Sequence, residues 1–107
     1  MPKYLVRASY TAEGLKGLQK DKASGRKAAV NEAIQGLKGK LECIYFAFGE
    51  DDVVVIFALP DNVAAARLAI AVGASGLTRT RTTALLTVEE ADQALGAPDV
   101  GFRAPGG

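Results

Sequence analysis

The spacing of hydrophobic positions predicts four strands and three helices along this chain. Residues 3–10 alternate between apolar and polar with a period of two, which is typical of a strand with one buried face. Residues 11–39 instead carry apolar side chains at helical spacing, with a break expected at residues 22–25, where Ser24 can cap a second segment. Gly39 is suited to end this helix.

The middle of the chain predicts a hairpin followed by a helix and a strand. Residues 41–48 and 53–59 are two apolar strands, and the glycine and acidic residues at 49–52 suit a tight turn between them. An alanine-rich helix is expected at 63–72, and a strand rich in β-branched residues at 78–87.

The last part of the chain predicts a short helix and a tail. The sequence Thr87-Val88-Glu89-Glu90 has the form of a capping box, and the helix that it opens is expected to end at Gly96. Residues 97–107 are rich in proline and glycine and are predicted to be flexible. A length of 107 residues with 49% hydrophobic composition suits a single domain, at residues 1–96.

The order β-α-β-β-α-β predicts an α+β fold of the ferredoxin-like kind. In that fold a four-stranded antiparallel sheet carries two helices on one face. The second and third strands have few polar residues on either side, so Ile44, Phe46 and Phe48 are expected on the face without helices. Because soluble monomers rarely expose such a patch, we expect a second copy to cover it, sheet against sheet, in a homodimer.

The composition narrows the chemistry that the chain can carry. It contains no histidine and no tryptophan, which excludes Ser-His-Asp and Cys-His catalytic systems and histidine-ligated metals. No phosphate-binding loop, dinucleotide fingerprint or EF-hand spacing is present, so we expect no cofactor and no metal. The single cysteine, Cys43, lies in an apolar run and is interpreted as a small buried residue. With a formal net charge of +1 and no long apolar stretch, the chain is expected to be cytoplasmic and to bind neither nucleic acid nor membrane.

The hairpin region resembles a known family. Residues 47–56 are similar to the segment that names the GYD family of small bacterial and archaeal proteins. Further matching positions are Tyr10-Thr11 with Gly14, Gly39-Lys40-Leu41, Tyr45, Pro60 and the run Leu77-Thr78-Arg79-Thr80-Arg81-Thr82. Asp51 stands at the tyrosine position of the naming motif. The resemblance implies a dimeric α/β barrel built from ferredoxin-like subunits, and it implies no settled activity.

Three arginines on two strands form the first candidate site. Arg7 lies on the first strand, and Arg79 and Arg81 share one face of the fourth, which is its neighbour in a ferredoxin-like sheet. If the faces agree, the guanidinium groups can hold a carboxylate or phosphate. The alternative is that they point to solvent or pair with Asp51, Asp52 or Glu42 across the dimer.

The hairpin supplies the second candidate. Gly49 and Asp52 are interpreted as turn residues, the glycine for an unusual backbone angle and the aspartate as an acceptor of backbone N–H groups. A functional interpretation instead makes Asp52 an acid or base at the mouth of a cleft, with Tyr45 as a donor to a ligand. The structural interpretation of Tyr45 is a core residue whose hydroxyl lies at a rim.

The leading hypothesis is a non-enzymatic, dimeric module that binds a small anionic ligand or has a regulatory role. The ligand would lie between sheet and helices, or within the barrel, with Arg7, Arg79 and Arg81 as anchors. One alternative is a cofactor-free enzyme, monooxygenase-like or isomerase-like, that uses Tyr45, Asp52 and an arginine. Another is a structural assembly subunit whose interface is its function.

Overall fold

The computed structural model describes all of residues 1–107 and confirms the predicted α+β class. The elements, in chain order, are β1 Lys3–Tyr10, α1 Ala12–Gly36, β2 Lys40–Phe46, β3 Val53–Ala58, α2 Asn62–Ala74, β4 Thr78–Leu85 and α3 Val88–Gly96. The four strands form one sheet in the order β2-β3-β1-β4, and every neighbouring pair is antiparallel. None of the three helices combines the length and the hydrophobicity that crossing a bilayer requires.

Helix α1 has the predicted break. The hydroxyl of Thr11 accepts the N–H of Gly14 and caps the first turn. Lys22 then leaves the helical region, with φ 65° and ψ 169°, and divides the helix into two segments. The helix ends at Gly36 and not at Gly39, because Lys38 takes a positive φ of 66°.

Gly39 has a different role from the predicted one. A Cβ at this position would overlap the carbonyl oxygen of Ala58 and the side chain of Leu59. The glycine therefore allows the chain that enters β2 to pass close to the end of β3. Close backbone approach, rather than helix termination, is what requires a residue without a side chain here.

Strand ends differ from the prediction where turns begin earlier than expected. β2 stops at Phe46, because the next N–H, of Ala47, already donates across the turn to the carbonyl of Asp52 at 2.8 Å. β4 stops at Leu85, because Thr87 has turned outward to cap α3. The predicted capping box at the start of α3 is confirmed, as is its end at Gly96.

A β-bulge in β2 overturns one predicted surface. Leu41 pairs with Phe57 and Cys43 with Ile56, so two steps along β2 oppose one step along β3. Beyond the bulge, Ile44 pairs with Val55 and shares its face. The expectation that Ile44 and Phe46 lie on the face without helices is therefore wrong, because the extra residue reverses the alternation.

The same bulge changes the surroundings of three side chains. Ile44 and Phe46 pack against the buried core on the helix side. Phe48 lies beyond the strand, in the loop, and is fully exposed. Cys43 is half-buried on the opposite side of the sheet, and not enclosed in the core as predicted.

The core lies between the sheet and two helices. It consists of Tyr4, Ala8, Ile34, Val53, Val55, Phe57, Leu59, Ala64 and Ala65. Ile34 of α1 and Ala64 of α2 belong to one cluster with alternate residues of β1 and β3, so both helices cover the same face. The hydroxyl of Tyr4 donates to Oδ1 of Asn62 at 2.6 Å and joins the first strand to the start of α2.

Helix α3 is well capped but is mostly exposed. The N–H of Thr87 donates to the carboxylate of Glu90, and Thr87 accepts the N–H of Glu90 in return. The pKa of Glu90 is lowered from its usual value. The main cause is the hydrogen bond from the Thr87 backbone, and the hydrogen bond with the Thr87 side chain adds to it. No residue of α3 is buried, and Val88 and Leu95 are exposed.

The accessible surface area of the molecule is larger than expected from its mass. Its accessible surface is 7668 Å², whereas a folded monomer of this mass is expected to expose about 5,700 Å². Its radius of gyration is 16.9 Å, against about 13 Å for a compact domain of similar length. The uncovered face of the sheet, α3 and the exposed residues 97–107 all contribute to this excess.

Candidate functional site

The face of the sheet that points away from α1 and α2 carries the predicted arginines. We call this surface the open face. Its members alternate along each strand with the residues that face the helices. They include Leu5, Arg7 and Ser9 of β1, Cys43 and Tyr45 of β2, Val54 and Ile56 of β3, and Arg79, Arg81 and Thr83 of β4.

Strand register brings the three arginines together on the open face. Arg7 lies directly opposite Arg81 in the β1–β4 pair, and Arg79 lies opposite Ser9. Arg7 and Arg79 are therefore diagonal neighbours, which lie about 7–8 Å apart in an antiparallel pair, with their Cβ atoms somewhat closer. Two long guanidinium side chains at that spacing can reach a common anion.

Asp51 neutralises one of the three arginines. Nη2 of Arg81 donates to both carboxylate oxygens of Asp51, at 2.9 and 2.7 Å. The side chain of Asp51 is only 17% exposed, so this pair also anchors the β2–β3 turn on the sheet. Ser9 adds a second anchor, because its hydroxyl donates to the carbonyl of Glu50 at 3.0 Å.

The other two arginines have no acidic partner in the chain. No carboxylate oxygen lies within 4.0 Å of a guanidinium nitrogen of Arg7 or Arg79. Glu42, one of the predicted alternatives, pairs with Lys3 instead. The open face therefore presents two adjacent cations beside an ion pair, which is a local positive potential that favours an anion.

Asp52 holds the turn against β1. Its Oδ2 accepts the backbone N–H of Tyr10 at 2.8 Å, and its own N–H donates to the carbonyl of Ala8 at 2.8 Å. The carboxylate of Asp52 thus accepts an N–H at the end of β1. The sequence had instead predicted N–H partners within the turn itself. The bond to the Tyr10 N–H gives Asp52 a structural role as an acceptor that joins the turn to β1.

Substitution of Asp52 tests this role. Asp52→Ala leaves the Tyr10 N–H without its acceptor and is expected to lower the free energy of unfolding by about 2 kcal/mol. Asp52→Asn keeps an acceptor oxygen and is expected to lose less than half as much. Urea denaturation followed by circular dichroism measures both. Equal losses in the two variants would contradict the assignment.

Gly49 and Tyr45 lie apart from the arginines. The φ of Gly49 is not positive, so the unusual backbone angle predicted for it is wrong. A Cβ at Gly49 would meet no atom within 4 Å, so a side chain could be accommodated at this position. Tyr45 points from the edge strand β2 into solvent and is 69% exposed, not a core residue as the structural interpretation expected.

A cavity of about 140 Å³ lies on the other side of the sheet, between β1, β3 and β4 below and α1 and α2 above. Seventeen residues line it, and thirteen of them are hydrophobic. None of the predicted site residues is among them. The expectation that the arginines anchor a ligand between sheet and helices is therefore wrong, because strand alternation turns them to the opposite face.

Four polar residues at this cavity were missed by the sequence reasoning. Thr78, Thr80 and Thr82 of β4 line it, together with Arg26 of α1. The strict Thr-Arg alternation of β4 was a usable signal, because it places threonines on one face whenever the arginines lie on the other. Arg26 offered no such signal, because it lies among several basic residues of a mostly exposed helix.

Comparison with known proteins agrees with the hairpin motif and the element order. A family model described as GYD domain matches residues 4–95, from the first strand to the third helix. The chain belongs to the GYD domain family. In this GYD protein, Asp51 stands at the tyrosine position of the naming motif, and its side chain binds Arg81. No curated protein and no solved structure matches the chain.

Proposed function

We propose that this GYD protein is a ferredoxin-like subunit that pairs sheet to sheet with a second copy, as in a dimeric α/β barrel, and binds a small anion between the two open faces. The observation that carries the proposal is the pair Arg7 and Arg79, two cations without acidic partners on a face that is otherwise largely apolar.

The size of the uncovered surface supports pairing. The chain exposes 7668 Å², which is about 2,000 Å² more than a monomer of its mass is expected to expose. Obligate homodimers bury about 2,000–5,000 Å² in total, or about 1,000 Å² or more from each subunit. Part of the excess belongs to α3 and to the exposed residues 97–107, and the open face supplies further surface that a second copy can cover.

The distribution of side chains on the open face supports a face-to-face arrangement. Leu5 pairs with Ile56 across the two central strands, and Cys43 lies on the other side of Ile56. These residues form an apolar centre that a second copy can cover. The arginines lie to the side of it, on β1 and β4.

Pairing makes an anion necessary near the arginines. Two cations enclosed in an interface without a counter-charge carry a large desolvation penalty. A carboxylate or phosphate held bidentately removes that penalty, because the guanidinium group presents paired N–H donors in one plane. The anion would thus stabilise the dimer as well as bind to it.

The alternative of a cofactor-free enzyme has less support. Asp52 is bonded to the Tyr10 N–H, and neither Asp52 nor Tyr45 lines the cavity. The two residues to which that hypothesis assigned acid–base and donor roles therefore do not face the cavity.

Two matched pairs of variants test the proposal. Light scattering should give the mass of a dimer for the wild type and of a monomer for Ile56→Glu, with Ile70→Glu on the exposed face of α2 as the control that remains dimeric. Calorimetry with inorganic phosphate should show binding that Arg7→Gln or Arg79→Gln weakens about tenfold. Arg67→Gln, an exposed arginine of α2, should leave it unchanged.

Several results would count against it. A wild-type monomer, or a dimer that Ile56→Glu leaves intact, would refute the interface. Rings or filaments would favour the structural-subunit alternative. Phosphate binding that is absent, or equally sensitive to Arg67→Gln and Arg79→Gln, would refute the anion site.

A further inference from the structure

We propose that the cavity between the sheet and the helices is a second binding site, which takes a small carboxylic acid with a short apolar chain. The site lies on the opposite side of the sheet from Arg7 and Arg79, so it does not depend on the open face or on dimerisation. Its apolar walls, its threonine hydroxyls and Arg26 together define this ligand class.

The size and the walls of the cavity fit an apolar group of about six carbon atoms. Its volume is about 140 Å³, and an engineered apolar cavity of about 150 Å³ binds benzene. Val55 and Phe57 of β3 form its floor, and Val30 of α1 and Leu68 of α2 stand over them. A chain of aliphatic carbons placed between these residues loses contact with water and meets apolar side chains.

Threonine hydroxyls line one side of the cavity. Thr78, Thr80 and Thr82 alternate along β4 and point to the helix side. No hydrogen bond joins their hydroxyls to another group of the chain. All three remain accessible, so each can donate to an acceptor that enters the cavity. Valine has nearly the same shape and would fill this face if packing were the only requirement.

Arg26 supplies a positive charge at the same cavity. It lies one helical turn before Val30 and about two turns before Ala33, so the three residues share the side of α1 that lines the cavity. Its Nη1 lies 3.7 Å from Oδ2 of Asp21, which is an ion pair but longer than a hydrogen bond. The guanidinium donors therefore remain available to a carboxylate, and the side chain is only 35% exposed.

These features assign the two ends of the ligand. The carboxylate is held by the guanidinium group of Arg26, with threonine hydroxyls as further donors. The apolar chain extends between the helices and β3. An alcohol of the same length would fill the cavity equally well but lacks the charge that Arg26 recognises.

Titration with hexanoate, and with 1-hexanol as its uncharged partner, tests the site. Wild-type protein should bind both, and Arg26→Gln should weaken hexanoate about tenfold while leaving 1-hexanol unchanged. Arg67→Gln does not remove a residue of the cavity and should leave both ligands unchanged. Ala69→Leu fills the cavity and should abolish binding of both, with retention of the fold checked by circular dichroism.

Methyl NMR spectra locate the ligand independently of any variant. Hexanoate should shift the methyl signals of Val55 and Leu68, which line the cavity, and not those of Leu5 and Ile56 on the open face. If Ala69→Leu proves unfolded, the isosteric Thr80→Val and this pattern of shifts still decide the question, because Thr80→Val should weaken hexanoate binding.

The proposal fails if hexanoate does not bind, if Arg26→Gln and Arg67→Gln have equal effects, or if only open-face methyl groups shift. Arg79→Gln separates this site from the anion site proposed above. That substitution should weaken phosphate binding and leave hexanoate binding unchanged. Each proposal can therefore fail while the other stands.

Discussion

Replacement of Gly14 by alanine is expected to lower the free energy of unfolding by about 3 kcal/mol or more. A Cβ at Gly14 would overlap the carbonyl oxygen of Leu77, and it would also lie 3.1 Å from Cδ1 of Tyr10. The carbonyl of Leu77 cannot move away freely, because it accepts two hydrogen bonds from Thr11. The backbone N–H of Thr11 donates at 3.0 Å and its side-chain hydroxyl at 3.2 Å. The substitution would therefore separate the start of α1 from the start of β4.

Gly17→Ala is the matched control for this prediction. Gly17 lies one turn further along α1, and a Cβ there would meet no atom within 4 Å. Because alanine is a better helix former than glycine, Gly17→Ala should raise the free energy of unfolding by about 1 kcal/mol. Urea denaturation of the two variants measures the contrast. Similar effects in both would show that Gly14 is not in close contact with Leu77.

Phe57→Ala is expected to destabilise the fold by about 3–5 kcal/mol. Phe57 is 2% exposed and lies in the centre of the sheet, on β3. Its ring centroid is 6.1 Å from that of Tyr4, an aromatic contact that contributes beyond the buried area. Its side chain also forms part of the wall of the cavity. Truncation would enlarge a void that already exists, so little of the lost packing can be recovered by collapse.

Phe48→Ala provides the comparison, since it removes the same side chain from a fully exposed position in the β2–β3 loop. We expect a change within about 0.5 kcal/mol when unfolding is measured at low protein concentration. A loss in Phe48→Ala comparable to that in Phe57→Ala would mean that the exposed phenyl ring packs on another surface. A loss near zero in Phe57→Ala would contradict the core as described.

Local signals in the sequence were sufficient for most elements. Thr87 caps the helix that it was expected to open, and the break in α1 falls at Lys22, inside the predicted interval. These features depend on residues close together in the chain. The alternation of β4 likewise predicted that Arg79 and Arg81 share a face, which pleating alone requires.

Features that depend on tertiary packing were not accessible in the same way. Nearly every position from Leu41 to Phe46 is apolar. The strand therefore lacks the alternation of apolar and polar residues whose interruption would indicate a bulge. Gly39 was interpreted from its neighbours, whereas its role depends on Ala58, which is distant in sequence. The alternation of β4 places Arg79 and Arg81 on one face, but whether Arg7 shares that face, and which face the helices cover, depend on how the elements pack together.

The bulge in β2 also affects whether strands of other chains can add to the edge of the sheet. β2 is an edge strand, and a regular edge offers a row of free backbone donors and acceptors to which strands of other chains can add. The irregular register between Leu41 and Cys43 interrupts that row, and the exposed charge of Lys40 lies beside it. The other edge, β4, carries Arg79 and Arg81. Addition of strands from other chains is thus disfavoured at both borders of the sheet.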